Sequence, residues 1–115
     1  MEKEKKPIGK TTIAPEVLVS IAQLTTLSVE GVCRLTAAPI EMNTLFKRGV
    51  HDGVDISVED DLVYIDLYVV VKRDVNVRDV SHNIQKQVAR AISEMVGMEI
   101  GRINIHVEDI DFSEE

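Results

Sequence analysis

Three histidines, one cysteine and a scatter of carboxylates are the residues of this chain that could do chemistry. Their spacing argues against most of it. His51, His82 and His106 share no short ligand spacing, and Cys33 has no second thiol beside it. Zinc sites draw pairs of ligands from neighbouring positions, so neither a metal nor a cofactor is expected. Cys33 has no nearby histidine in sequence and no evident activating group, so a buried structural thiol is expected. Gly9-Lys10-Thr11 echoes the end of a phosphate-binding loop, but Glu4 stands where the earlier glycine belongs, and a charged tail stands where a strand should lead in. No serine sits in a nucleophile elbow. Asp55, Glu59, Asp66, Glu108 and Asp109 can gather on one side of a sheet. A solvated acidic face is their ordinary outcome; a weak divalent-cation site or a carboxylate-based hydrolase is the sharper alternative. No catalytic set is found, and the chain reads as a non-enzyme.

Contact residues are better represented. Tyr64 and Tyr68 project on the same side of one alternating segment, and Asn104 and His106 on the corresponding side of another. Tyrosine is favoured at interfaces because it gives contact area at small entropic cost. Leu45-Phe46-Lys47-Arg48, apolar and basic side by side, is a second candidate contact.

These residues need elements to position them. Asn76 to Ile110 is the most clearly written stretch. Asn76 caps a helix, Asp79 lies near its positive end, and Val77, Val80, Ile84, Val88, Ala91, Ile92 and Met95 make an apolar stripe. Gly97 is a natural stop. A strand follows with Ile103, Ile105 and Val107 on one side and Asn104, His106 and Glu108 on the other. Earlier, Pro15 and Glu16 open a first helix, with Val17, Leu18, Ile21, Ala22, Leu24 and Thr25 in helical period and Ala14 as a poor cap. Val32 to Thr36 reads as a short strand. Residues 39–52 fit either a short amphipathic helix or a loop. Val54, Ile56 and Val58 alternate with Asp55, Ser57 and Glu59. Asp60-Asp61 is a turn. Leu62 to Lys72 sets Val63, Ile65, Leu67, Val69 and Val71 against Tyr64, Asp66, Tyr68 and Val70.

Period-two strands with one apolar side imply a sheet with one buried and one wet face. Two amphipathic helices need that buried face. The expected fold is α+β: a mostly antiparallel sheet of three to five strands with two helices on one face. Residues 1–10 read as a mobile tail, 11–112 as a single domain and 113–115 as an acidic end. The 115 residues suffice for one hydrophobic core. A net charge of −7 and only four aromatic residues exclude generic phosphate-neutralising and base-stacking nucleic-acid binders. No apolar run approaches the roughly 20 residues of a membrane span, and the charged N-terminus lacks a signal-peptide core. A cytoplasmic chain is expected.

Several pieces also carry a family likeness: Ile13-Ala14-Pro15-Glu16-Val17 leading into Ile21-Ala22, then Val29-Glu30-Gly31-Val32 and Gly49-Val50. The strongest piece runs from Asn76-Val77 through Val88 to Met95-Val96-Gly97 and Ile103-Asn104-Ile105-His106-Val107. In this order they resemble the bacterial alkaline shock protein family, also described as envelope stress response proteins. Where that family often has Tyr-Gly before the second helix, this chain has Arg73-Asp74. The resemblance brings no catalytic residues. It implies a small, self-associating cytoplasmic protein of cell-envelope homeostasis, reaching the membrane through a separate small anchor protein. The expected function is a non-catalytic interaction or scaffold protein. The alternative is a regulator of a metabolic enzyme, such as one of fatty-acid synthesis.

Overall fold

Strand β4 (Leu62–Lys72) organises the molecule because its alternation is the longest in the chain. Val63, Ile65, Leu67, Val69 and Val71 are each at most 1% exposed. Around it lie α1 (Pro15–Ser28), β1 (Val32–Leu35), β2 (Val50–His51), β3 (Val54–Glu59), α2 (Val77–Val96) and β5 (Glu99–Asp111). The computed structural model describes residues 8–38, 50–51 and 53–113. The candidate contact Leu45-Phe46-Lys47-Arg48 lies outside the described residues.

One edge of β4 is shared. β3 pairs antiparallel with its first half, Val54 opposite Leu67 and Glu59 opposite Leu62, and β1 pairs antiparallel with its second half, Val32 opposite Val71. β2 extends the sheet beyond β3. The other edge carries β5 in parallel, from Leu62 opposite Glu99 to Lys72 opposite Asp111. The expected α+β sheet is therefore present, with three antiparallel pairings and one parallel one. The parallel pairing follows from length. An 11-residue strand runs about 36 Å and the 20-residue α2 returns about 30 Å, so the next strand starts again beside the beginning of β4.

Local chemistry sets the joints. Asp60 and Asp61, at φ 52° and 67°, form the two-residue turn between β3 and β4, and two positive φ values match the twist of a hairpin. Asp74 takes φ 65°, so the turn keeps the left-handed backbone that glycine would favour there. Asn76 Oδ1 accepts from the Asp79 amide at 3.0 Å, and Gly97, at φ 75°, closes α2.

The core lies between the sheet and both helices. α1 contributes Leu18, Val19, Ile21 and Ala22; α2 contributes Val80, Ile84, Val88 and Ile92. Three apolar residues expected in the helix stripes are exposed instead: Val17 is 44% exposed, Leu24 71% and Met95 68%. α1 touches α2 as well as β1 and β3, so its buried arc centres on Ala22. Leu24 stands two positions from Ala22, about 200° round the helix. Val17, Leu24 and Met95 instead line an open apolar groove of about 630 Å³ between α1 and the end of α2.

Candidate functional site

Parallel pairing of β4 with β5 puts three side-chain pairs in a row on the outer sheet face. Tyr64 stands opposite Arg102, Asp66 opposite Asn104 and Tyr68 opposite His106. Opposed side chains in a sheet lie close enough to interact. Asp66 Oδ1 accepts from Asn104 Nδ2 at 3.1 Å and lies 2.9 Å from His106 Nε2. The His106 ring stacks on Tyr68, with centroids 4.5 Å apart and planes 11° from parallel. One carboxylate oxygen thus orients an amide and an imidazole, and the imidazole orients a phenol ring.

The first pair is built differently. Gly101 is an extra residue in β5, passed over in the register between Ile100 and Arg102. A Cβ there would stand 2.6 Å from two Tyr64 ring atoms, so the ring lies over bare backbone. The Arg102 guanidinium sits 5.7 Å from the Tyr64 centroid, within cation–π range. Ser57, Glu59, Tyr64, Asp66, Arg102 and Asn104 line a polar cleft of about 310 Å³.

All four described contact candidates therefore lie on one face. Tyr68, Asn104 and His106 join one network through Asp66, while Tyr64 sits beside it with Arg102. Sequence reasoning placed Asp66 among solvated carboxylates and did not single out Arg102. Both stand two residues from a candidate on the same side, a signal that period-two spacing carries. Their partners depended on the parallel register.

Other candidates separate from this face. Cys33 donates from Sγ to Asp111 Oδ2 at 3.0 Å, and Arg34 lies 3.7 Å from the same oxygen. The Asp111 carboxyl is lowered to about 2, first by the thiol hydrogen bond, then by hydrogen bonds from Ser113. The same contact, with burial, pushes the Cys33 thiol up. That is the opposite of an activated nucleophile. The expected buried thiol is half-buried instead. Lys10 and Thr11 precede α1 in irregular chain, so no helix N-terminus meets them as a phosphate loop requires. Among the described residues, no three His, Cys, Asp or Glu converge as a metal would need. His82 lines a separate groove along α2.

Comparison with known proteins agrees with this architecture. A model of the alkaline shock protein 23 family, described by its cell envelope-related function, matches residues 3–112. The chain is 32% identical over 121 residues to the uncharacterized protein YqhY of Bacillus subtilis, covering 97% of this chain and 84% of that one. It is 38% identical over 104 residues to the uncharacterized protein Spy1535 of Streptococcus pyogenes, covering 90% and 80%. Among solved structures, a MamM CTD variant superposes with a TM-score of 0.58 at 13% identity, over 84% of this chain and 95% of that chain. The copper form of MamM CTD gives 0.52 at 13% identity, over 87% and 90%. At such identity the likeness is one of fold alone. The chain belongs to the alkaline shock protein 23 family, whose function is related to the cell envelope.

Proposed function

We propose that this member of the alkaline shock protein 23 family is a non-catalytic interaction protein of cell-envelope homeostasis, and that its outer sheet face is the contact surface. The observation that carries the reading is the Tyr68–His106 stack held on Asp66. Binding costs about 0.5–1.5 kcal/mol for each side chain it must immobilise. Side chains already held by their neighbours avoid much of that cost. Tyr64, with Arg102 against its ring, adds a second aromatic contact a few residues along. Tyr64, Tyr68 and His106 are half-exposed and Arg102 and Asn104 exposed, and tyrosine and arginine are enriched at protein interfaces.

The chain works on the cytoplasmic side of the membrane, held there by a protein partner such as a small membrane anchor, and self-associates. What supports an envelope-linked partner is the cell envelope-related function of the family; no helix among the described residues is long and apolar enough to cross a membrane. Cross-linking in the native host followed by affinity capture tests the reading. A partner recovered by the parent chain is lost with Tyr64→Ala/Tyr68→Ala, while the variant stays folded. Equal recovery by both chains contradicts it.

A further inference from the structure

The second edge of β5 is a surface that the outer-face site leaves unused. β5 pairs with β4 along one side, and among the described residues no strand pairs with the other. Open edges of this length invite pairing with another chain, and β5 runs for 13 residues. Two residues are passed over in its register with β4, Gly101 and Glu108, and they bracket a regular run from Arg102 to Val107. Gln85 donates from α2 to the Ile103 carbonyl at 3.0 Å. That contact marks Ile103, Ile105 and Val107 as the residues whose backbone groups point outward, since direction alternates along a strand.

We propose that two copies of this chain pair antiparallel through this edge, about a two-fold axis at Ile105. A two-fold contact uses one patch twice, so the strand must complement its own reverse. Centred on Ile105, it does. Ile105 meets its own copy, Ile103 meets Val107, Asn104 meets His106, and Arg102 meets Glu108 at both ends. Apolar residues of the buried face oppose apolar ones, and opposite charges close the pairing. Both Arg102 and Glu108 are exposed in the single chain. A slip of one residue sets the apolar row against the polar one. Moving the axis to Asn104 sets Arg102 against His106 and forfeits both charge pairs.

The space beside the edge suits this occupant. Val77, Ser81, His82, Gln85 and Ile105 border a groove of about 590 Å³ that leaves Ile105 only partly covered. A second Ile105 fills the end of that groove. About six backbone hydrogen bonds close across Ile103, Ile105 and Val107, the Ile103 carbonyl using its second lone pair beside the Gln85 contact. The two Asn104–His106 rows then adjoin, giving one continuous outer face with two contact clusters. The pairing rests on the proposed contact role for its purpose, though not for its geometry.

The test combines register and charge. Directly opposed residues in a hydrogen-bonded pair have Cα atoms about 5.5 Å apart, within disulfide reach. In a Cys33→Ser background, Ile105→Cys becomes a covalent dimer under mild oxidation, and Asn104→Cys remains mostly uncross-linked. In sedimentation equilibrium, Arg102→Glu and Glu108→Arg each weaken dimerisation about tenfold, and the double reversal restores it. Thermal melts confirm that each variant is folded. Cross-linking through Asn104→Cys in preference to Ile105→Cys, a monomeric parent chain at high concentration, or a double reversal no better than the single ones overturns the proposal. So does an edge that gains protection from hydrogen exchange only when another protein's segment is added. A monomer that still captures its partner through Tyr64 and Tyr68 refutes the pairing and leaves the outer-face reading standing.

Discussion

Replacing Asp66 by alanine removes the single oxygen on which the outer-face network converges. Two contacts go with it, from Asn104 at 3.1 Å and His106 at 2.9 Å. An intramolecular hydrogen bond nets about 0.5–1.5 kcal/mol. The His106 and Asp66 side chains are 38% and 33% exposed, so water replaces part of what is lost and the low end applies. The total is about 1 kcal/mol, a fall in Tm of roughly 3–6 °C for a domain of this size. Binding should suffer more. Without Asp66 the His106 and Tyr68 rings must be ordered by the partner, at about 0.5–1.5 kcal/mol each. Together that is about 1–3 kcal/mol, or roughly 5- to 150-fold in Kd. Asp66→Asn keeps an acceptor oxygen and loses less of both. Circular dichroism melts beside titration with the captured partner measure the two quantities separately. A Tm fall beyond about 10 °C would make Asp66 a keystone of the fold. Unchanged affinity in a folded variant would refute the claim that this network prepares the surface for contact.

Further predictions concern the core and the pH dependence of stability. Ile84→Asp and Val88→Asp abolish folding, because both residues are fully buried and an unpaired carboxylate there costs several kcal/mol against a total stability of roughly 5–15 kcal/mol. Met95→Ser, from the same apolar stripe but exposed, changes the melting temperature little, and a large fall would put Met95 back in the core. The Asp111 carboxyl is lowered from 3.8 to about 2, so its contribution is present above its unfolded value and is lost as pH falls through about 2. In urea unfolding at descending pH, the stability gap between the parent chain and Asp111→Asn closes below about pH 4; a gap that stays constant refutes the assignment. The raised Cys33 thiol has the opposite sign: its contribution holds below the ordinary value of 9.0 and fades as pH rises above it.

Much of the fold was legible because it is written locally. Asn76, Gly97 and the four core residues of α2 lie within one helix, where spacing alone fixes the face. The alternation of β4 and the Asp60-Asp61 turn are equally local. What could not be read depended on distant partners. The parallel course of β5 follows from the length of α2, and it pairs Asp66 with Asn104 across 38 positions. The Cys33–Asp111 contact spans 78. The face of α1 was misread because Val17 and Leu24 are apolar and regularly spaced, while the helix is rotated by packing on both α2 and the sheet. Tyr64, Tyr68, Asn104 and His106 could be assigned to one wet face from alternation. The bonds that order them could not.

Whether the outer face makes protein contacts is decided by cross-linking and mass spectrometry in the native host. Parent chain and Tyr64→Ala/Tyr68→Ala are compared at equal abundance, with thermal melts of both. A protein partner is enriched by the parent chain and lost with the variant, while the two melt within a few degrees of each other. The same partner recovered equally by both chains, or neither partner nor self-association with the parent chain, would contradict the contact role.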